Sequence, residues 1–197
     1  MRNLPVAVIV ITLALGAGLG CRRSPEARAA EATTLVRAMH ADLLDAQKKV
    51  IAKFKALPEA DAIRIAIGDK SFNSWLISEK NLAQTDDQQE QALITIQKDA
   101  KDDPLIGELR LYAKKLAKTC QEDIPDYEGR LSKTTKDLAQ GQMTTDKLVI
   151  DLAKPEAAGL KKSLENSTKI LPFQIEGLKA KQTIATAYEI KLAKLLS

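Results

Sequence analysis

The stretch PEARAAEATTLVRAMHADLLDAQKKVIAKFKALP, residues 25–58, decides the fold class. Val36, Met39, Leu43, Val50, Phe54 and Leu57 recur at helical steps, and Ala46 and Gln47 bridge the longest gap. That spacing lays an apolar stripe along one side of a helix. Asp42, Asp45, Lys48, Lys49 and Lys55 occupy the opposite positions. Pro25 suits a first turn and Pro58 cannot continue a helix, so a helix over 26–56 is expected.

The composition extends this reading to the rest of the chain. Ala, Glu, Lys, Leu and Arg supply 96 of 197 residues, a share typical of long helices and coiled coils. Aromatic residues make up only 4%, against the many strands of a sandwich or barrel. Hydrophobic residues at 45% are enough for a core, which argues against disorder. The net charge of +4 is too mild for a nucleic-acid footprint, so no nucleic-acid partner is expected.

Prolines divide the remainder. Pro25, Pro58, Pro104, Pro125, Pro155 and Pro172 are each expected at a helix boundary. Residues 59–84 read two ways: Ile63, Ile65 and Ile67 alternate as in a strand, yet Ala62, Ile63, Ala66 and Ile67 fit a helix. A lone strand lacks a partner, so a helix broken near Gly68 is preferred. Thr85-Asp86-Asp87-Gln88 forms a capping box that opens a polar helix over 86–101. Asp103-Pro104 starts a helix over 104–122 with Leu105, Leu109, Tyr112, Leu116 and Cys120 inward. Pro125-Asp126 restarts a helix to Gln140, and Gly141 follows as its C′ glycine. Thr144 or Thr145 caps the next helix, which carries Leu148, Val149, Leu152, Leu160, Leu164 and Leu171 and is kinked or broken at Pro155. A last helix spans 173–196, with Leu178, Ala185, Tyr188, Leu192 and Leu195 inward. These thin seams predict an all-α, antiparallel helical bundle of five to seven helices, elongated and coiled-coil-like in its packing.

Residues 1–21 have a different character. Met1-Arg2-Asn3 is a short positive start, Leu4 to Gly20 contain no charge, and small residues lead to Cys21. This is the tripartite layout of a secretory signal. Gly18-Leu19-Gly20-Cys21 resembles the lipobox of bacterial lipoproteins, with Gly18 in place of the usual aliphatic residue. The resemblance covers residues 1–21 only. It implies cleavage before Cys21, a diacylglycerol on the Cys21 thiol and, with Arg22 next, an outer-membrane location facing the periplasm. Two or three acyl chains hold a protein stably, at about 0.8 kcal/mol per buried CH₂. A cleaved signal without lipid and an uncleaved anchor helix are the rival readings. On the lipoprotein reading, residues 1–20 are removed, 21–25 form the lipidated tether and 26–197 form one helical domain. Arg22, Arg23 and Arg28 then lie near anionic headgroups, offset in part by Glu26 and Glu31.

The search for chemistry is negative. The sequence contains no G-x-S-x-G, H-E-x-x-H, Walker A or C-x-x-C motif. No catalytic residue, cofactor or metal ligand is nominated. The single histidine, His40, reads as a boundary residue with an apolar body and a polar tip rather than a ligand. Cys120 falls on a buried helix face, where a free thiol behaves as a small hydrophobe; an intermolecular disulfide is the alternative. Asp69-Lys70-Ser71-Phe72-Asn73 begins like a calcium loop, but Ser74 and Lys80 stand where glycine and a bidentate glutamate are required. The run Lys48 to Lys55 is basic and amphipathic, and a solvated helix face explains it better than a membrane contact.

The expected function is a non-enzymatic, membrane-anchored envelope module. Its partners are the bilayer, through acyl chains on Cys21, and an envelope protein. The alternative is a small-ligand carrier with its pocket near Trp75, Tyr112 and Tyr127. An enzyme is the least expected reading.

Overall fold

The structure, a computed structural model, describes residues 24–67, 103–145 and 148–197. Helix α1 spans Pro25–Lys55. Ser24 caps it, its hydroxyl accepting from the Ala27 amide at 3.3 Å, and Pro25 occupies the first turn. Glu26 in the first turn and Lys53 and Lys55 in the last suit the helix dipole. The buried side carries Ala29, Ala32, Val36, Met39, Leu43, Val50, Ile51 and Phe54, close to the expected stripe. Thr33 is buried with them and donates its hydroxyl to the Ala29 carbonyl at 3.0 Å, which satisfies that hydroxyl inside the core.

The chain turns at Pro58 and enters α2, Ala60–Ile67. The ambiguous isoleucines therefore resolve as helix over this span. Ile63 points inward beneath Phe54, while Ile65 is exposed. Phe173 closes this cluster with its ring edge-on to Phe54, centroids 5.7 Å apart. The rest of the 59–84 stretch and the expected helix over 86–101 lie outside the described residues.

Helix α3 runs unbroken over Asp103–Gln140, and α4 over Ala158–Ala193. This corrects two expected boundaries, because Pro125 and Pro172 are inside helices. Both prolines face solvent, so each withholds its amide on the wet side while the inward side keeps its packing. Around Pro125, Cys120 and Ile124 remain buried; beside Pro172, Leu171 and Ile175 do. The helix count drops accordingly: the described residues form four α-helices, not the five to seven expected.

A second correction concerns 142–151. No helix is capped at Thr144 or Thr145. Gly141, with φ of 65°, ends α3 as expected and turns the chain into a two-stranded hairpin. Strand β1, Gln142–Thr144, pairs antiparallel with β2, Val149–Asp151, in the register Gln142↔Asp151 and Thr144↔Val149. Thr145 secures the turn: its hydroxyl accepts from the Leu148 amide at 3.0 Å, and its amide donates to the Leu148 carbonyl at 2.9 Å. The β-branched residues Thr144, Thr145, Val149 and Ile150 favour extended backbone over helix. Pro155 then opens a short 3₁₀ turn, Pro155–Ala157, that leads into α4.

Cross-helix pairs fix the directions. Arg110 meets Glu189 at 2.9 Å and Glu128 meets Lys179 at 2.7 Å, so α3 and α4 are antiparallel. Lys53 pairs with Glu176 and Tyr188 donates to Asp42 at 2.7 Å, so α1 is also antiparallel to α4. The main core lies where all three helices meet: Val36, Met39 and Leu43 of α1, Ile106, Leu109 and Ala113 of α3, and Tyr188 and Leu192 of α4. Burying each of the larger aliphatic side chains contributes about 1.5–3 kcal/mol. Ala29, Ala32 and Ala113 in the same cluster leave room for close helix approach.

Candidate functional site

The helix directions define two ends. The start of α1, the start of α3 and the end of α4 share one; the β-hairpin forms the other. At 1.5 Å per residue, the run from Ile106 to Gln140 separates them by about 50 Å. The hairpin end is tied to α3. Lys133 bonds the buried carboxylate of Asp137 at 2.7 Å and donates to the Thr144 carbonyl at 3.0 Å, while Leu152 is buried just beyond β2. At its tip Leu148 and Val149 are 65% and 63% exposed, an adjacent apolar pair in solvent. Both were expected on a buried helix face. Period alone cannot separate an outward hairpin residue from an inward helical one.

The second feature is a groove midway along the bundle, with a cavity volume of about 170 Å³. Gln47, Val50 and Ile51 of α1, Tyr127 of α3, and Phe173, Gln174, Gly177, Leu178 and Lys181 of α4 line it. Its floor is apolar, since Val50 and Ile51 are buried. Lys181 is its one charged group. Arg130 caps the Tyr127 ring, 5.2 Å from its centroid.

The residues singled out from sequence fare differently. Cys21 and Trp75 lie outside the described residues. Tyr112 and Tyr127 do not meet: fifteen residues of unbroken helix set them about 22 Å apart. Tyr112 is partly exposed and stands edge-on to His40 at 6.0 Å, whereas Tyr127 lines the groove. His40 is half-buried, and no group of three or more potential metal ligands occurs among the described residues. Cys120 is buried and free. Burial pushes its thiol pKa up, nearby Lys181 opposes that, and Asp123 reinforces it. The thiol therefore stays protonated and unreactive near neutral pH.

The basic run of α1 is a solvated face. Lys49 pairs with Asp45 at 2.7 Å, Lys53 pairs with Glu176, and Val50, Ile51 and Phe54 are turned into the core. Its apolar side thus faces the other helices, with Val50 and Ile51 flooring the groove. At the other end, Arg28, Glu31, Leu35, Lys191, Lys194 and Leu195 border an open depression of about 490 Å³ with mixed charge. Among the described residues no helix is long and apolar enough to cross a membrane.

These features define a helical hairpin buttressed by a third long helix and tipped by a β-hairpin. No protein-family model, curated protein or solved structure matches the chain, so function rests on its own geometry.

Proposed function

We propose that the chain is a lipid-anchored envelope module that presents its β-hairpin to a partner protein away from the bilayer. Cys21 carries the anchor, in an outer membrane facing the periplasm, and the domain performs no catalysis. The observation that carries this reading is the polarity of the bundle. Only Arg22 and Arg23 separate Cys21 from the capping residue Ser24, so α1 starts at the tethered end. The apolar pair Leu148 and Val149 is exposed at the opposite end, about 50 Å away by helix length. A long helical bundle with a short tether at one end and an apolar tip at the other suits a spacer or docking role better than a buried-site role.

Two measurements test it. Intact-mass analysis of protein purified from membranes should show a diacylglycerol adduct that Cys21→Ser removes; an unlipidated wild type sinks the anchor. Photo-crosslinking from position 148 in cells should recover one envelope protein, and Val149→Ser should reduce the yield. Crosslinks confined to lipid and abundant bulk proteins overturn the docking role. Of the two tyrosines in the carrier reading, Tyr127 lines the groove and Tyr112 lies too far along α3 to share that pocket.

A further inference from the structure

The mid-bundle groove has a chemistry that the docking role does not use, and we propose that it binds a small monocarboxylic acid. The acid's apolar body lies on Val50, Ile51, Phe173 and Leu178, and its carboxylate meets the Lys181 ammonium.

Size, charge and shape each support this. A dry cavity of about 150 Å³ holds a benzene ring, and this groove offers about 170 Å³. A groove of this size accommodates an apolar body of about one ring. Lys181 supplies the charge. Elsewhere on α4, Lys169 reaches Glu59, Lys179 reaches Glu128, and Lys191 rests 4.0 Å from the centre of the Tyr188 ring. Lys181 is half-buried and has no carboxylate within ion-pair distance among the described residues. A cation on an apolar rim, without a protein counter-ion, complements an anion on an apolar ligand. Gly177 supplies the shape. A glycine inside a helix is unfavourable, yet a Cβ added at Gly177 would meet nothing within 4 Å. Packing therefore does not require glycine at this position, and a side chain added there enters open space at the groove wall.

The probe is phenylacetate, with neutral phenylacetamide as its matched control, titrated by ligand-observed NMR at low salt against the intact protein. Phenylacetate should bind, and phenylacetamide should bind at least about fivefold more weakly. Lys181→Gln should bring the two to equal affinity. Gly177→Leu should abolish binding of both by filling the groove, while far-UV circular dichroism stays unchanged. Three results each overturn the proposal: no binding of phenylacetate, equal affinity of acid and amide for the wild type, or undiminished binding by a folded Gly177→Leu variant. None of these results bears on the anchor at Cys21 or on the hairpin partner.

Discussion

Replacing Pro125 by alanine should stabilise this protein, and the size of the gain follows from where the proline sits. Pro125 lies inside α3, twenty-two residues after its start, with the helix continuing to Gln140. There it withholds the amide that would bond the Gln121 carbonyl, and its ring crowds the preceding turn. An interior proline costs about 3 kcal/mol relative to alanine. Alanine gives back about 0.4–1 kcal/mol because the unfolded chain gains freedom. Pro125 is exposed, so no buried contact is lost. The net expectation is about 2 kcal/mol of added stability, or a Tm rise of about 4–8 °C for a domain of this size. Pro172→Ala in α4 should behave alike, and the two gains should add because the sites are separated along the bundle. Pro155→Ala is the control of opposite sign. Pro155 opens a 3₁₀ turn and needs no amide bond, so its loss should destabilise by about 0.4–1 kcal/mol. Urea unfolding followed by far-UV circular dichroism measures all three. If Pro125→Ala and Pro172→Ala are neutral or destabilising, the prolines end helices in solution and the long-helix architecture is refuted.

Three further outcomes are expected. Burial first, then the bond to Asp42, pushes the Tyr188 pKa up to about 12 from an ordinary value of 10.0. The folded state then holds its phenolic proton more tightly than the unfolded chain, so this contribution is complete below pH 10 and is lost as pH rises from about 10 to 12. Tyr188→Phe should flatten that part of the stability profile in alkaline urea titrations; an unchanged slope refutes the assignment. Lys133→Met should strip the buried Asp137 carboxylate of its partner and release the Thr144 carbonyl, costing about 2–3 kcal/mol. It should also speed amide hydrogen exchange over 142–151, and unchanged exchange there would show that the hairpin is held without Lys133. Cys120 should resist a thiol reagent in the native protein and react promptly in urea, since burial both covers and protonates it. Rapid labelling of the native protein contradicts the core position.

Local chemistry explains which elements could be read in advance. The stripe from Val36 to Phe54 marks α1 because burial on one side of a helix imposes its period on the chain. Gly141 and Pro155 mark real boundaries, since a left-handed C′ glycine and a first-turn proline act within a few residues of themselves. Pro125 and Pro172 carry the same local signal with the opposite outcome. Their helices continue because the packing of α3 on α4 extends past both prolines and outweighs a loss on the wet side. The same local signal bears on the two tyrosines. A break at Pro125 would let the chain fold back and bring Tyr112 to Tyr127; an unbroken helix keeps them apart. The hairpin is not legible from period alone, because Leu148, Val149 and Leu152 satisfy a helical step as well as a strand pair. The β-branched cluster beside them was the available clue.

The sequence by itself determined a mostly helical, thin-seamed chain, because composition, period and caps act through neighbours along the backbone. Tertiary structure decided which prolines interrupt the helices, where the apolar pair of the hairpin points, and that α1, α3 and α4 enclose a groove with Lys181 on its rim. Those properties depend on which surfaces meet, and residues far apart in the chain, such as Val50, Tyr127 and Lys181, acquire a common environment only when the helices pack.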